Sequence, residues 1–147
     1  MTVFKRQIAR AAELGVPIVV HSRMAAQETF DCLSEAAPAG MRIHLHCFTD
    51  SPEWCEKYLA AFPNLKVGFT CSILRPSSSM ARSAAVAPLD RILLETDGPY
   101  MSPNGSKFSH PGVIPAVAQA VADIKHITLS EVLEACYKNT LAVYGIV

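Results

Sequence analysis

One unit recurs along the sequence and dominates what the chain can fold into. A short hydrophobic run rich in β-branched residues is followed by a stretch with helical spacing, repeated at intervals of roughly 25 residues. The runs fall at 17–21, 42–46, 65–70 and 91–97. They are apolar on both faces, which suits buried parallel strands. Helices are predicted at 24–36, 51–62 and 79–86, and another at 2–14 precedes the first strand, with Thr2 as N-cap and Gly15 just past its end. Two more are expected at 113–125 and 129–144, beyond a polar loop over 98–112. End signals agree with this reading. Ser51 precedes Pro52 at a first helical position and Glu53 in the first turn, and Thr128-Leu-Ser-Glu131 has the form of a capping box.

Strands alternating with helices imply an α/β fold with parallel pairing and right-handed crossovers. Two architectures accommodate four consecutive βα units. One is a small open doubly wound sheet. The other is half of an eight-stranded barrel, since a whole barrel needs roughly 250 residues. The chain has 147 residues, half of them hydrophobic, with a formal net charge of zero. That is a globular composition for a single domain. No basic excess exists to drive counterion release, so any nucleic-acid contact must come from a local site. The apolar runs are too short to span a bilayer.

The five cysteines form no CxxC pair. With no secretory signal at the N-terminus, free buried thiols are expected, in a cytoplasmic or nuclear setting.

His21, His46 and Asp97 each close a hydrophobic run at its C-terminal end, the edge that carries active sites in parallel α/β folds. Imidazole and carboxylate are ligands for zinc, manganese and similar ions. By strand alternation Glu95 shares a face with Asp97, and His44 with His46. Glu95 is placed to orient a ligand histidine or to help place a water. His44, one layer deeper, reads as a satisfied structural histidine. His110 and His126 lie in loop contexts suited to surface or capping roles, and Trp54 shares a helical stripe with Tyr58 suited to packing. No GxGxxG, Walker-type loop or GxSxG elbow is present.

Val19-Val-His-Ser-Arg23, His46-Cys-Phe-Thr49 and Leu94-Glu-Thr-Asp-Gly-Pro-Tyr100 resemble, in order and spacing, three signature segments of the TatD family of deoxyribonucleases. Val3-Phe-Lys-Arg-Gln7 resembles the helix before the first of these, and Phe108-Ser-His-Pro-Gly112 resembles the eukaryotic branch. The resemblance spans essentially the whole chain. It implies the C-terminal half, strands five to eight, of a TIM-type (β/α)8 metal-dependent hydrolase barrel. The implied activity is hydrolysis of DNA phosphodiester bonds with a divalent ion (Mg2+, Mn2+ or Zn2+), in DNA repair or fragmentation. His21, His46 and Asp97 are then metal ligands, Asp97 and Glu95 the catalytic carboxylates, and Arg23 a contact for substrate phosphate.

The family's first-strand His-x-His pair and its bridging glutamate have no counterpart here. Asp50 and Gly98 replace a common glycine and alanine. The expectation is therefore a truncated chain, of reduced or no activity alone, with a single metal position. Its exposed barrel edges would drive self-association or pairing with a complementary half. Two alternatives are a non-catalytic remnant that binds a partner or nucleic acid, and another metal-dependent hydrolase of the same superfold.

Overall fold

The computed structural model describes residues 2–75, 78–103 and 107–146. Helix α1 (Thr2–Glu13) leads into strand β1 (Ile18–His21). Then follow α2 (Ala26–Ala36), β2 (Ile43–His46), α3 (Pro52–Ala61), β3 (Leu65–Phe69), α4 (Ser79–Val86) and β4 (Ile92–Leu94), and the chain ends in α5 (Ile114–Lys125) and α6 (Leu129–Tyr144). Every predicted element is present, with ends trimmed by one or two residues. The exception is β4. The expected strand over 91–97 stops at Leu94, and Asp97 turns into the left-handed region at φ 52°.

The four strands are parallel and lie in the order β1-β2-β3-β4. Helices follow the same order, each from α1 to α6 packing on the next. A doubly wound sheet reverses its strand order partway. Here the order never reverses, so right-handed crossovers bring the intervening helices to one face. The result is an arc of strands inside an arc of helices.

The core lies between the two arcs. Ile43, Leu45, Leu65, Val67, Phe69 and Ile92 are sealed within it. Phe30, Trp54, Tyr58 and Phe62 pack ring against ring there, as expected for Trp54 and Tyr58. All five cysteines are buried and none is in a disulfide.

The alternate strand residues point to the other, concave face. The registers Val19↔His44, His21↔His46 and Gly68↔Leu93 place these six residues on it. Val19 remains 52% exposed there. Among the described residues no helix is long and apolar enough to cross a membrane.

Candidate active site

The strands run parallel, so their C-terminal ends gather at one rim of the sheet. His21 and His46 are direct neighbours in the β1–β2 register, with ring centroids 5.7 Å apart. Beyond β4 the Glu95 amide still bonds to the Phe69 carbonyl at 2.9 Å, so Glu95 holds strand-like position for one more residue. The chain then turns. The Gly98 amide bonds to Thr96 Oγ1 at 3.2 Å, and buried Ser109 donates to the Thr96 carbonyl at 3.0 Å. That turn swings Asp97 toward β2. Asp97 therefore reaches the site through a left-handed turn, where strand alternation had been expected to place it.

Glu95 is the centre of the cluster. One carboxylate oxygen meets His44 Nε2 and the other meets His46 Nδ1. The backbone amide of Cys47 lies 3.3 Å from both oxygens. Burial pushes the Glu95 carboxyl up, but the bonds and charge of His44 and His46 outweigh it and hold the pKa at about 2. His46 is correspondingly raised, chiefly by its bond to Glu95, with burial opposing and Asp97 adding to the rise. Cys47, directly after His46, also adopts a left-handed conformation, φ 48°. Two non-glycine residues in that region, both beside the cluster, store roughly 1–3 kcal/mol each.

His46 Nε2 faces Asp97 Oδ1 at 3.3 Å. That is long for a hydrogen bond. It is close to the separation of about 3.4 Å expected of two donors bound tetrahedrally to one ion at 2.0–2.2 Å. His46 and Asp97 thus match one edge of a metal coordination shell in chemistry and spacing. His21 supplies a second imidazole beside them, exposed at the rim. Among the described residues, however, no three His, Cys, Asp or Glu side chains converge closely enough to hold an ion.

The structure thus brings His46, Glu95 and Asp97 together, sets His21 alongside, and adds His44. His44 is satisfied, as expected, but it is bonded to the carboxylate that orients His46. Arg23 is exposed at the same rim, and its charge reaches Cys47. His110 accepts a bond from the Gly112 amide at 3.1 Å, and His126 ends α5 in a left-handed conformation, so both fill the expected capping roles.

Two contributors were missed from sequence. A Cβ on Gly68 would collide with the Glu95 carboxylate and approach His44 Nε2 to 2.6 Å, so only glycine leaves the His44–Glu95 path across β3 open. Tyr144, at the end of α6, places its hydroxyl 2.7 Å from His44 Nδ1.

The profile of a family described as TatD related DNase matches residues 1–145. The human protein named 3'-5' RNA nuclease TATDN2 is 36% identical over 98% of this chain and 20% of its own length. A Bacillus subtilis protein named uncharacterized metal-dependent hydrolase YabD is 28% identical over 98% of this chain and 57% of its own. The chain therefore spans little more than half of the bacterial relative and a fifth of the human one. Among solved structures, YJJV, a TatD homolog from Escherichia coli, superposes with a TM-score of 0.84 at 24% identity, over 96% of this chain and 54% of that one. That likeness bears on the fold.

Proposed function

The chain belongs to the TatD-related DNase family, and on that premise we propose that its strand-end cluster serves metal-dependent hydrolysis of nucleic-acid phosphodiester bonds. The observation that carries this reading is the placement of His46, with one ring nitrogen held by Glu95 and the other 3.3 Å from Asp97. His46 and Asp97 would hold a divalent ion (Mg2+, Mn2+ or Zn2+), with His21 beside them as the third donor. The ion, when bound, supplies Lewis acidity toward a phosphoryl oxygen. Glu95, kept anionic, aligns His46 and is saturated by its own partners. Asp97 is the rim carboxylate that faces the reacting group. Arg23 meets a neighbouring phosphate as a charge-assisted donor.

We assign the fold to strands five to eight of a (β/α)8 barrel. The monotonic strand order and one-sided helices support this, as does coverage of about half of a solved TatD homolog. DNA is the proposed substrate from the family's description. RNA is the competing polymer, since the human relative is named an RNA nuclease. Either fits the cytoplasmic or nuclear setting expected from the sequence.

A second reading is a non-catalytic module that binds nucleic acid or a partner. The failure of His21 to converge with His46 and Asp97 into a closed ligand set favours it. The test is hydrolysis of single- and double-stranded DNA and of RNA by this chain, with each metal, beside His21→Ala and Asp97→Ala. Metal-dependent cleavage, reduced at least about a hundredfold in both variants, is the expected result. Cleavage that persists in both variants sinks the assignment. No cleavage by the unsubstituted chain, with nucleic-acid binding intact, establishes the second reading.

A further inference from the structure

With His44 and His46 neutral, the hydrogen bonds around Glu95 have one consistent polarity. A carboxylate accepts and cannot donate, and a neutral imidazole carries one N–H. Glu95 Oε1 must therefore receive the Nε2 proton of His44. That leaves His44 Nδ1 as an acceptor, and Tyr144 donates its hydroxyl to it across 2.7 Å. On the other side, Glu95 Oε2 receives the Nδ1 proton of His46, so once His46 is neutral its lone pair lies on Nε2, the nitrogen that faces Asp97. The Tyr144 and His44 rings meet edge-on, 6.1 Å apart at 85°, and His44 is only 6% exposed. His44 has little room to take another orientation cheaply.

We propose that Tyr144 and His44 are positioning residues that occupy one oxygen of Glu95, reserving the other for His46 and fixing His46 as the Nδ1–H tautomer whose Nε2 binds a divalent cation. The inference rests on the metal reading above and extends it from the rim to the last residue of α6. Without His44, Glu95 Oε1 loses its imidazole partner and the carboxylate is held only by His46 and the Cys47 amide. It then loses its alignment with His46 or turns toward the cation itself.

The experiment uses the whole chain. Imidazole 15N shifts in metal-free protein at mildly alkaline pH report the tautomers, and calorimetric titration with Mn2+ reports affinity. The expected tautomers are Nε2–H for His44 and Nδ1–H for His46. His44→Leu should mix the His46 tautomers and weaken Mn2+ binding about tenfold. His44→Gln, whose amide N–H can still reach Glu95, should recover most of that affinity. Tyr144→Phe should release the His44 tautomer and weaken Mn2+ about threefold, at the mild end for outer-shell partners.

Circular dichroism melts confirm that each variant folds. An unchanged His46 tautomer and unchanged Mn2+ affinity in folded His44→Leu overturn the positioning role and leave the metal reading intact. An unsubstituted chain that shows both tautomers but binds no Mn2+ overturns the metal reading, and the positioning role falls with it.

Discussion

At Gly68 the concave face of β3 is bare, and the Glu95 carboxylate crosses it to reach His44. Gly68→Ala would push that carboxylate aside. Glu95 lies just past the end of β4 and only its side chain need give way, so the fold should lose about 1–3 kcal/mol. The site should lose more, because His46 loses its alignment. Mn2+ affinity is expected to drop at least about tenfold, read by calorimetry beside a thermal melt. A second consequence lies in pH. The pKa of His46 is raised in the metal-free chain, and a metal must displace the proton on Nε2. Mn2+ affinity should therefore climb as pH rises through that raised value and level off above it. Glu95 acts oppositely on stability. Its folded pKa, about 2, lies below the unfolded value near 4.3, so its contribution is full above the unfolded value and is lost as pH falls toward 2. Glu95→Gln should flatten that acid limb of the denaturation curve. The sequence makes His21 and His46 legible as strand-end residues because strand ends are visible in hydrophobic pattern, whereas Asp97 lies past the end of β4 and reaches the rim through a turn. Gly68 is not legible, because its role depends on side chains from β2 and the β4 end that meet only after folding.

Helix α6 joins the fold's stability to the site. Its start is capped in both directions, with Thr128 accepting from the Glu131 amide at 3.2 Å and the Glu131 carboxylate accepting from the Thr128 amide at 2.8 Å. This box was readable as four letters, since capping is a local interaction. The helix is also pinned by Asn139, buried midway, whose amide donates to the Leu89 and Ile92 carbonyls at 2.9 and 2.8 Å. That anchor gives no local signal, because its acceptors lie 47 and 50 residues away along the chain. Asn139→Ala should leave both carbonyls wanting and cost about 2–3 kcal/mol in urea denaturation. Thr128→Ala should cost about 1 kcal/mol. The two losses should also differ at the site. Asn139 fixes where Tyr144 arrives, five residues further along the helix, so its loss should lower Mn2+ affinity as well. The cap should affect stability alone. The β4 misreading has a similar cause. Hydrophobic periodicity shows that a strand begins at Ile92, but the turn that releases Asp97 from the ladder is anchored by Ser109, beyond the reach of a local pattern.

The arrangement of the whole sheet leaves β1 without a partner on its outer side among the described residues. A cleft of about 400 Å³ runs along that edge, walled by Phe4 and Gln7 of α1 and by Thr29, with Val19, Val20 and His21 along its floor. Val19 is half exposed on the concave face, and neither a charge nor a proline within β1 blunts the edge. An open strand edge beside apolar surface is a template for pairing. The copy of this chain nearest at hand is another of the same, and edge-to-edge pairing about a two-fold axis needs only the one strand. Sedimentation equilibrium should accordingly show a mass rising above that of the monomer as concentration increases. Val19→Lys places a charge on the concave face of that edge without touching the core, so it should shift the chain toward monomer at equal concentration while its melting temperature at low concentration stays within a few degrees. His21 shares β1 with Val19, so pairing at this edge also bears on the rim. Should Val19→Lys abolish association and leave Mn2+ affinity unchanged, the site is complete within one chain. Should affinity fall together with association, His21 reaches its place beside His46 and Asp97 only when the edge of β1 is covered. A chain that stays monomeric at every concentration, and melts cooperatively, would show that the open arc is stable uncovered.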